Sequence, residues 1–251
     1  MSREDLRYVA TVEARMASSR LPGKILMDLA GKPSLERLVE RARRSKYVAE
    51  VVVATTANAS DDAVEAWGKK AGVPVWRGSE EDVLARVLDA ATACKADVIV
   101  ELTGDCPLVD PALIDEAVSH YIAHPEIDYV SNNKERSYAR GFDVQVFSRA
   151  VLAEVDRLTR DAADHEHVSL YIYEHPERYK LATLRAPKEL FAPDQRVCVD
   201  TEKDYTVVRS VFEALLPKKP HFDARDVMDY LNAHPEIAGL NAEVKQKPVR
   251  Q

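Results

Sequence analysis

Cysteine is scarce in this chain: Cys94, Cys106 and Cys198 are the only three in 251 residues. The number is odd and no CxxC pair occurs, which argues against a disulfide framework and against a cysteine-ligated zinc site. Free thiols in a reducing compartment are the simpler expectation. Long apolar runs are lacking too, and none approaches the ~18–20 residues that a bilayer-spanning helix needs. The opening stretch MSREDLRYVATV lacks the apolar core and small-residue cleavage site of a secretory signal, so a cytoplasmic location is expected. Nor is positive charge in surplus: 35 Lys and Arg stand against 42 Asp and Glu, a formal net charge of −7. That balance disfavours a broad nucleic-acid-binding surface while leaving room for a local basic pocket. No internal repeat and no low-complexity tract is present.

What is present is enough hydrophobic residue, 46% of the chain, to build a sizeable globular core. Short β-branched runs alternate with segments of helical period. YVATV (8–12), EVVVATT (50–56), VPVWRG (73–78) and DVIVELT (97–103) read as buried strands. Between them, the segment after Pro33 places Leu35, Leu38, Val39 and Ala42 on one helical stripe. DDAVEAWGKKAG and EEDVLARVLDAATACKA are two further helices, the first stopped by Gly72. This alternation predicts a mostly parallel sheet with helices on both faces. The second half is less regular. Strands are expected in IDYVSNN, FDVQVFS and YKLATLRA, helices in AVLAEVDRLT, YTVVRSVFEALL and ARDVMDYLNAH, and a mixed segment in EHVSLYIY. The expected organisation is one α/β domain over residues 1–217, with a β-rich insertion at roughly 127–186, followed by a helical extension from 218 to 251.

In open α/β sheets ligands bind beyond the carboxyl ends of the strands. That rule nominates the loops after residues 12, 56, 77 and 103. The first of them, EARMASSRLPGK (13–24), gathers Arg15, Arg20 and Lys24 in an otherwise acidic protein. Charge alone leaves a solvated turn and an anion site both open; its position after the first strand favours the anion site. Arginine forks match phosphate oxygens well, and Ala17, Ser18 and Ser19 let backbone N–H groups approach an anion closely. The loop is not a Walker P-loop, because GxxxxGK[ST] is absent and Gly23 is its only glycine.

The run ARMASSRLPGKIL, followed by GKP and a helix, resembles the N-terminal signature of the cytidylyltransferases that make CMP-activated acidic sugars, the Kdo and acylneuraminate types. RGSEEDVLAR, ELTGDCPLVDP, RGFDVQVFS, EHVSLYIY, VDTEKDY and NAHPEIAGLN are similar to the branch named for spore coat polysaccharide biosynthesis. They follow in the expected order through nearly the whole chain. The resemblance implies a Rossmann-like sheet of the nucleotide-diphospho-sugar transferase type with a small β-rich second portion. It also implies a Mg²⁺-dependent enzyme that joins CTP to an acidic sugar with release of pyrophosphate, and related enzymes often pair as homodimers.

Asp105 follows the fourth strand, where a carboxylate can hold Mg²⁺ against phosphate oxygens. An acidic turn is the plainer reading, and Asp110 before Pro111 fits that role as a helix cap. The resemblance makes Asp105 one magnesium ligand and Asp200, at the end of the expected apolar strand VCV, the second; locally Asp200 also reads as a helix cap. Ala14, Arg15, Ser18, Arg20, Lys24, Thr103 and Gly104 are expected around the nucleotide. Arg77 and Arg86 are added to that set, although Arg86 also has Glu81 and Asp82 within pairing distance on a helix. His165 and His167 have no third ligand at convincing spacing for a metal. The resemblance places His167 and Tyr171 against the acceptor sugar, with Asp143 facing it and Arg140 beside it to pair with a carboxylate. One departure stands out: the family commonly has Gln or Pro before the Ala-Arg pair, and this chain has Glu13. Two other readings remain at this stage, a glycosyltransferase using a preformed sugar nucleotide and a non-catalytic nucleotide-sugar binder.

Overall fold

The computed structural model describes residues 2–247 and Val249. Seven strands form one sheet: β1 (Tyr8–Glu13), β2 (Val48–Thr56), β3 (Val75–Gly78), β4 (Val98–Thr103), β5 (Tyr129–Ser131), β6 (Gln145–Ser148) and β7 (Leu181–Thr183). Their order is β3-β2-β1-β4-β6-β5-β7. Neighbours are parallel except at β6, which runs against both β4 and β5. The strands expected within 127–186 therefore extend the same sheet and do not form a separate β unit.

The helices are α1 (Ser34–Ala42), α2 (Asp62–Ala71), α3 (Val83–Ala93), α4 (Pro111–Ala123), α5 (Arg149–Leu158), α6 (Ala162–Glu166), α7 (Leu170–Glu174), α8 (Glu202–Leu215), α9 (Ala224–Ala233) and α10 (Pro235–Ala238). Strand residues alternate between two cores, as the period of two requires. Ala10, Val12, Val51, Val53, Val98, Val100 and Leu102 face α1, α2, α4, α8 and α9. Val9, Val52, Ile99, Tyr129 and Phe147 face α3, α5 and the α6–α7 segment. Val227, Met228 and Leu231 of α9 belong to the first core, so the C-terminal helices are packed onto the sheet's helical layer.

Local signals account for several boundaries. Gly72 ends α2 in the left-handed conformation, and Asp110 caps α4 ahead of Pro111 by accepting from the Ala112 amide, both as expected. Pro33 is the residue before the first helical position of α1. Two expectations are corrected. The mixed segment 166–173 contains no strand: it runs from the last residue of α6 through a turn at 167–169 into α7. The apolar run before Asp200 is not a strand; it touches Arg140 through a single bridge at Arg196. Its alternating hydrophobics are buried by the first core all the same, Val197 and Val199 being almost wholly covered. The helix after Asp200 is capped by Thr201, whose hydroxyl accepts from the Asp204 amide while Asp204 returns the bond, a capping box.

Candidate active site

At the carboxyl ends of β1, β3 and β4 a cavity of about 600 Å³ opens. Of the four loops nominated by strand position, those after β1, β3 and β4 line it. The loop after β2 acts from behind. Asp61, fully buried, accepts from the Met16 amide at 2.7 Å and from the Thr55 hydroxyl and Thr56 amide at 3.0 Å. Burial opposes its ionisation, but the bonds from Thr56 and Met16 outweigh this and hold the carboxyl below its ordinary range. Asp61 thus fixes the start of the basic loop to the neighbouring strand. At the loop's end, Gly23 has φ 74°, and its amide donates to the Met16 carbonyl at 2.9 Å. This left-handed turn, natural only to glycine, sends Lys24 back into the cavity.

Lys24 meets the two aspartates that the resemblance paired. Its Nζ lies 2.9 Å from Asp200 Oδ1 and 3.6 Å from Asp105 Oδ2. Asp200 also pairs with Arg20 at 2.9 Å and with Arg196 at 3.0 Å. Burial works against ionising Asp200, yet Lys24, Arg20 and Arg196 together lower its pKa. For Lys24, burial is likewise outweighed by Asp105 and Asp200, and its pKa is raised. Arg196, buried, is held in turn by Asp204 at 3.3 Å. The backbone completes the approach: the Val199 amide donates to the Asp105 carbonyl at 2.7 Å. Gly104 is needed here because a Cβ on it would lie 2.7 Å from the Glu13 carbonyl oxygen.

The donor set suits a divalent cation. Oxygens of Asp105 and Asp200 and the sulfur of Cys198 lie within 4.8 Å of one another. The Lys24 ammonium already bridges the two carboxylates, so the position between them is favourable to positive charge. Two carboxylates with open positions for phosphate and water are the usual donors for Mg²⁺.

Glu13, the departure noted in the sequence, ends β1 beside Thr103 of β4 and lines the cavity. Two pairs further back, Glu101 lies against Thr11 and Gln145. It is 4% exposed, and its Oε2 has no hydrogen-bond partner among the described residues. Burial pushes Glu13 up to about 7, with Asp105 adding to the rise and Arg86 opposing it. Burial, reinforced by Glu13, pushes Glu101 well above the carboxylate range. A protonated carboxyl on this wall removes the conflict between Glu13 and an anionic ligand.

The remaining expected residues divide. Ala14, Arg15, Ser18, Thr103, Gly104, Arg86, Arg140, Asp143 and His167 all line the cavity. Arg15 pairs with Glu80 at 3.2 Å. Arg86 does not pair with Glu81 or Asp82; its guanidinium turns back to the Ser79 and Glu80 carbonyls. Asp143 is engaged by Arg136 at 2.8 and 3.2 Å. No side-chain hydrogen bond or ion pair occupies the Arg140 guanidinium or the His167 ring among the described residues. Two expected residues are not brought in. Arg77 is held outside by Asp62 and Glu65, at 2.6 and 2.8 Å. Tyr171 packs beside the second core, its ring 4.1 Å from that of His175. His165 has both nitrogens engaged, by Asp82 at 2.8 Å and the Thr159 carbonyl at 3.2 Å. Glu80, Glu166, Cys198, Gln246 and Lys247 line the cavity without having been foreseen. The charges of Glu80 and Glu166 read as ordinary helix-terminal acids, and Gln246 and Lys247 lie beyond the NAHPEIAGLN segment that the resemblance covers.

A parallel sheet with a basic loop after its first strand, facing two convergent aspartates, is the arrangement of an enzyme that transfers a nucleotidyl group. The chain belongs to the cytidylyltransferase family, whose model matches residues 9–232. The spore coat polysaccharide biosynthesis protein SpsF of Bacillus subtilis is 35% identical, over 90% of this chain and 95% of its own. A solved cytidylyltransferase from Leptospira borgpetersenii is 33% identical, with a TM-score of 0.87 over 97% of this chain and 99% of that one. The 3-deoxy-manno-octulosonate cytidylyltransferase of Geobacter metallireducens is 32% identical, over 67% of this chain and 75% of its own. The protein is a CTP-dependent nucleotidyltransferase. The glycosyltransferase and non-catalytic readings are thereby set aside.

Proposed function

We propose that this enzyme uses CTP and Mg²⁺ to activate an acidic sugar as its CMP derivative, with release of pyrophosphate, for a surface polysaccharide or glycan. The observation that carries this reading is the convergence of Lys24, Asp105 and Asp200 on a cavity that Arg140 also lines, with no side-chain partner for its guanidinium among the described residues. An oxygen of the acceptor attacks the α-phosphorus of CTP, the P–O bond to the β-phosphate breaks, and pyrophosphate leaves in line. Such transfer depends chiefly on positioning and on neutralising charge.

Asp105 and Asp200 are the residues that would hold Mg²⁺. When bound, the ion supplies charge neutralisation at the α-phosphate and lowers the pKa of a coordinated nucleophile. Arg15, Arg20 and Lys24 hold the β- and γ-phosphates. Each has donors beyond those already used, since an ammonium carries three and a guanidinium five. Arg140 presents a free fork to the acceptor's carboxylate, while Arg136 keeps Asp143 from competing for it. His167, also uncommitted, faces the same space and is suited to a sugar hydroxyl. The names of the Bacillus and Geobacter relatives support a sugar destined for polysaccharide and an ulosonic acid, respectively.

The test is a pyrophosphate-release screen of nucleoside triphosphates against acidic sugars, neutral sugars and sugar phosphates. CTP with an acidic sugar and Mg²⁺ is expected to turn over. Turnover with neutral sugars alone would reject the acidic acceptor. Asp105→Asn is expected to lower kcat by about 10²–10³-fold with the fold intact; near wild-type release by this variant would overturn its metal role.

A further inference from the structure

The family match ends at residue 232, yet the cavity wall does not. After α10 the chain turns back across the mouth of the site and is secured at several points. Asn241 is 1% exposed; its side-chain amide donates to the Arg196 carbonyl at 3.1 Å and to Asp204 Oδ1 at 2.8 Å. Arg196 donates to Gln246 Oε1 at 3.2 Å, and Arg20 reaches the Lys245 carbonyl at 3.4 Å. Arg196 and Asp204 are the pair that holds Asp200, so the tail is built onto the support of a metal-site carboxylate. Its end places Lys247 Nζ 3.0 Å from Ser19 Oγ, inside the basic loop.

A fourth cation beside Arg15, Arg20 and Lys24 costs repulsion unless an anion offsets it. The Lys24 charge is largely used by Asp105 and Asp200, and Arg20 is shared with Asp200. Lys247, in contrast, has only the Ser19 hydroxyl as a hydrogen-bond or ion-pair partner among the described residues. We infer that the C-terminal segment delivers Lys247 to the triphosphate site, where its side chain binds the β- and γ-phosphates of CTP and the departing pyrophosphate. This rests on the assignment of the cavity to CTP. Lys247 is a binding residue for the terminal phosphates, brought in after the rest of the fold is complete. Asn241 and Arg196 are positioning residues that hold its segment in place.

Calorimetric titration of CTP, inorganic pyrophosphate and CMP, each with Mg²⁺, tests the assignment on the full chain. Lys247→Ala is expected to weaken CTP and pyrophosphate by about fivefold, as befits one partly exposed charge, and to leave CMP unchanged. Lys247→Glu should weaken the first two further. Lys245→Ala removes an equal charge from the same segment, but Lys245 does not line the cavity, and its affinities should match the unaltered protein. Wild-type pyrophosphate affinity in Lys247→Ala overturns the inference, as does an equal loss for CMP or for Lys245→Ala. Failure of the unaltered protein to bind CTP is a different result, and it removes the nucleotide assignment itself.

Discussion

Glu13 ends β1 with its carboxyl near Arg86 and Asp105, and burial pushes its pKa up to about 7. Because the folded value exceeds the unfolded one of about 4.3, its protonation favours the fold. That contribution is complete below pH ~4 and is lost as pH rises through about 7. Glu13→Gln, a neutral isostere, is therefore expected to be more stable than the parent at pH 8, on the order of 1–2 kcal/mol. The two should converge at pH 4.5. Urea unfolding at both pH values measures this, and an advantage equal at both would contradict it. Asp200 carries the opposite sign. Its folded pKa is lowered, so its stabilisation is present above the unfolded carboxylate value of about 4 and is lost as pH falls through the folded one. Asp200→Asn leaves Arg20, Lys24 and Arg196 facing one another and is expected to cost about 3 kcal/mol at pH 7, besides turnover. Asp105, whose one ion pair among the described residues is with Lys24 at 3.6 Å, should lose activity and little stability when made Asn. Denaturation midpoints of the two variants separate these roles.

The basic loop is an element without regular structure that is nevertheless fixed, and Asp61 is the reason. Asp61→Ala removes the acceptor for the Met16 amide and for Thr55 and Thr56, leaving buried donors unsatisfied at about 1–3 kcal/mol for the first lost. The expected result is faster hydrogen exchange at the Met16 amide and a raised KM for CTP; unchanged exchange there would show that the loop is held by something else. The loop was legible because charge, small residues and Gly23 are contiguous. Its anchor was not, since an aspartate before a helix reads as a cap whatever else it holds. The same limit explains Arg77. Its place near the end of β3 suggested a ligand, but on this edge strand its guanidinium finds Asp62 and Glu65 on α2 first, a pairing between elements that no local spacing reveals. The parallel half of the sheet followed from its continuous apolar runs. The short β5, β6 and β7 were overestimated in length because flanking residues such as Ile127, Phe142, Val144 and Leu184 are covered by the first core and so look like strand.

At the scale of the molecule, the site is assembled from segments far apart in sequence: 13–25, 80–86, 103–106, 140–143, 166–167, 198–200 and 246–247. Asp105 and Asp200 meet only when the sheet, α8 and the run before it are all in place. Binding at such a site couples to global folding, since an unfolded chain cannot present the two carboxylates together. Ligand at about 100 times its Kd is then expected to stabilise the protein by about 2.7 kcal/mol. Saturating CTP with Mg²⁺ should raise the urea midpoint accordingly at an unchanged m value. CMP at the same concentration should raise it less, because it lacks the phosphates that Arg20, Lys24 and Lys247 are proposed to hold. The overall charge of −7 adds a second expectation to this experiment. In an acidic protein whose cations toward the ligand are those lining the cavity, close contacts and not the field of the whole surface carry the affinity. Raising salt from about 0.05 to 0.15 M, a change of Debye length from roughly 14 to 8 Å, should therefore reduce the shift only modestly. Loss of most of the stabilisation over that range would mean that long-range attraction dominates, and that the convergent cations at the cavity contribute little of their own.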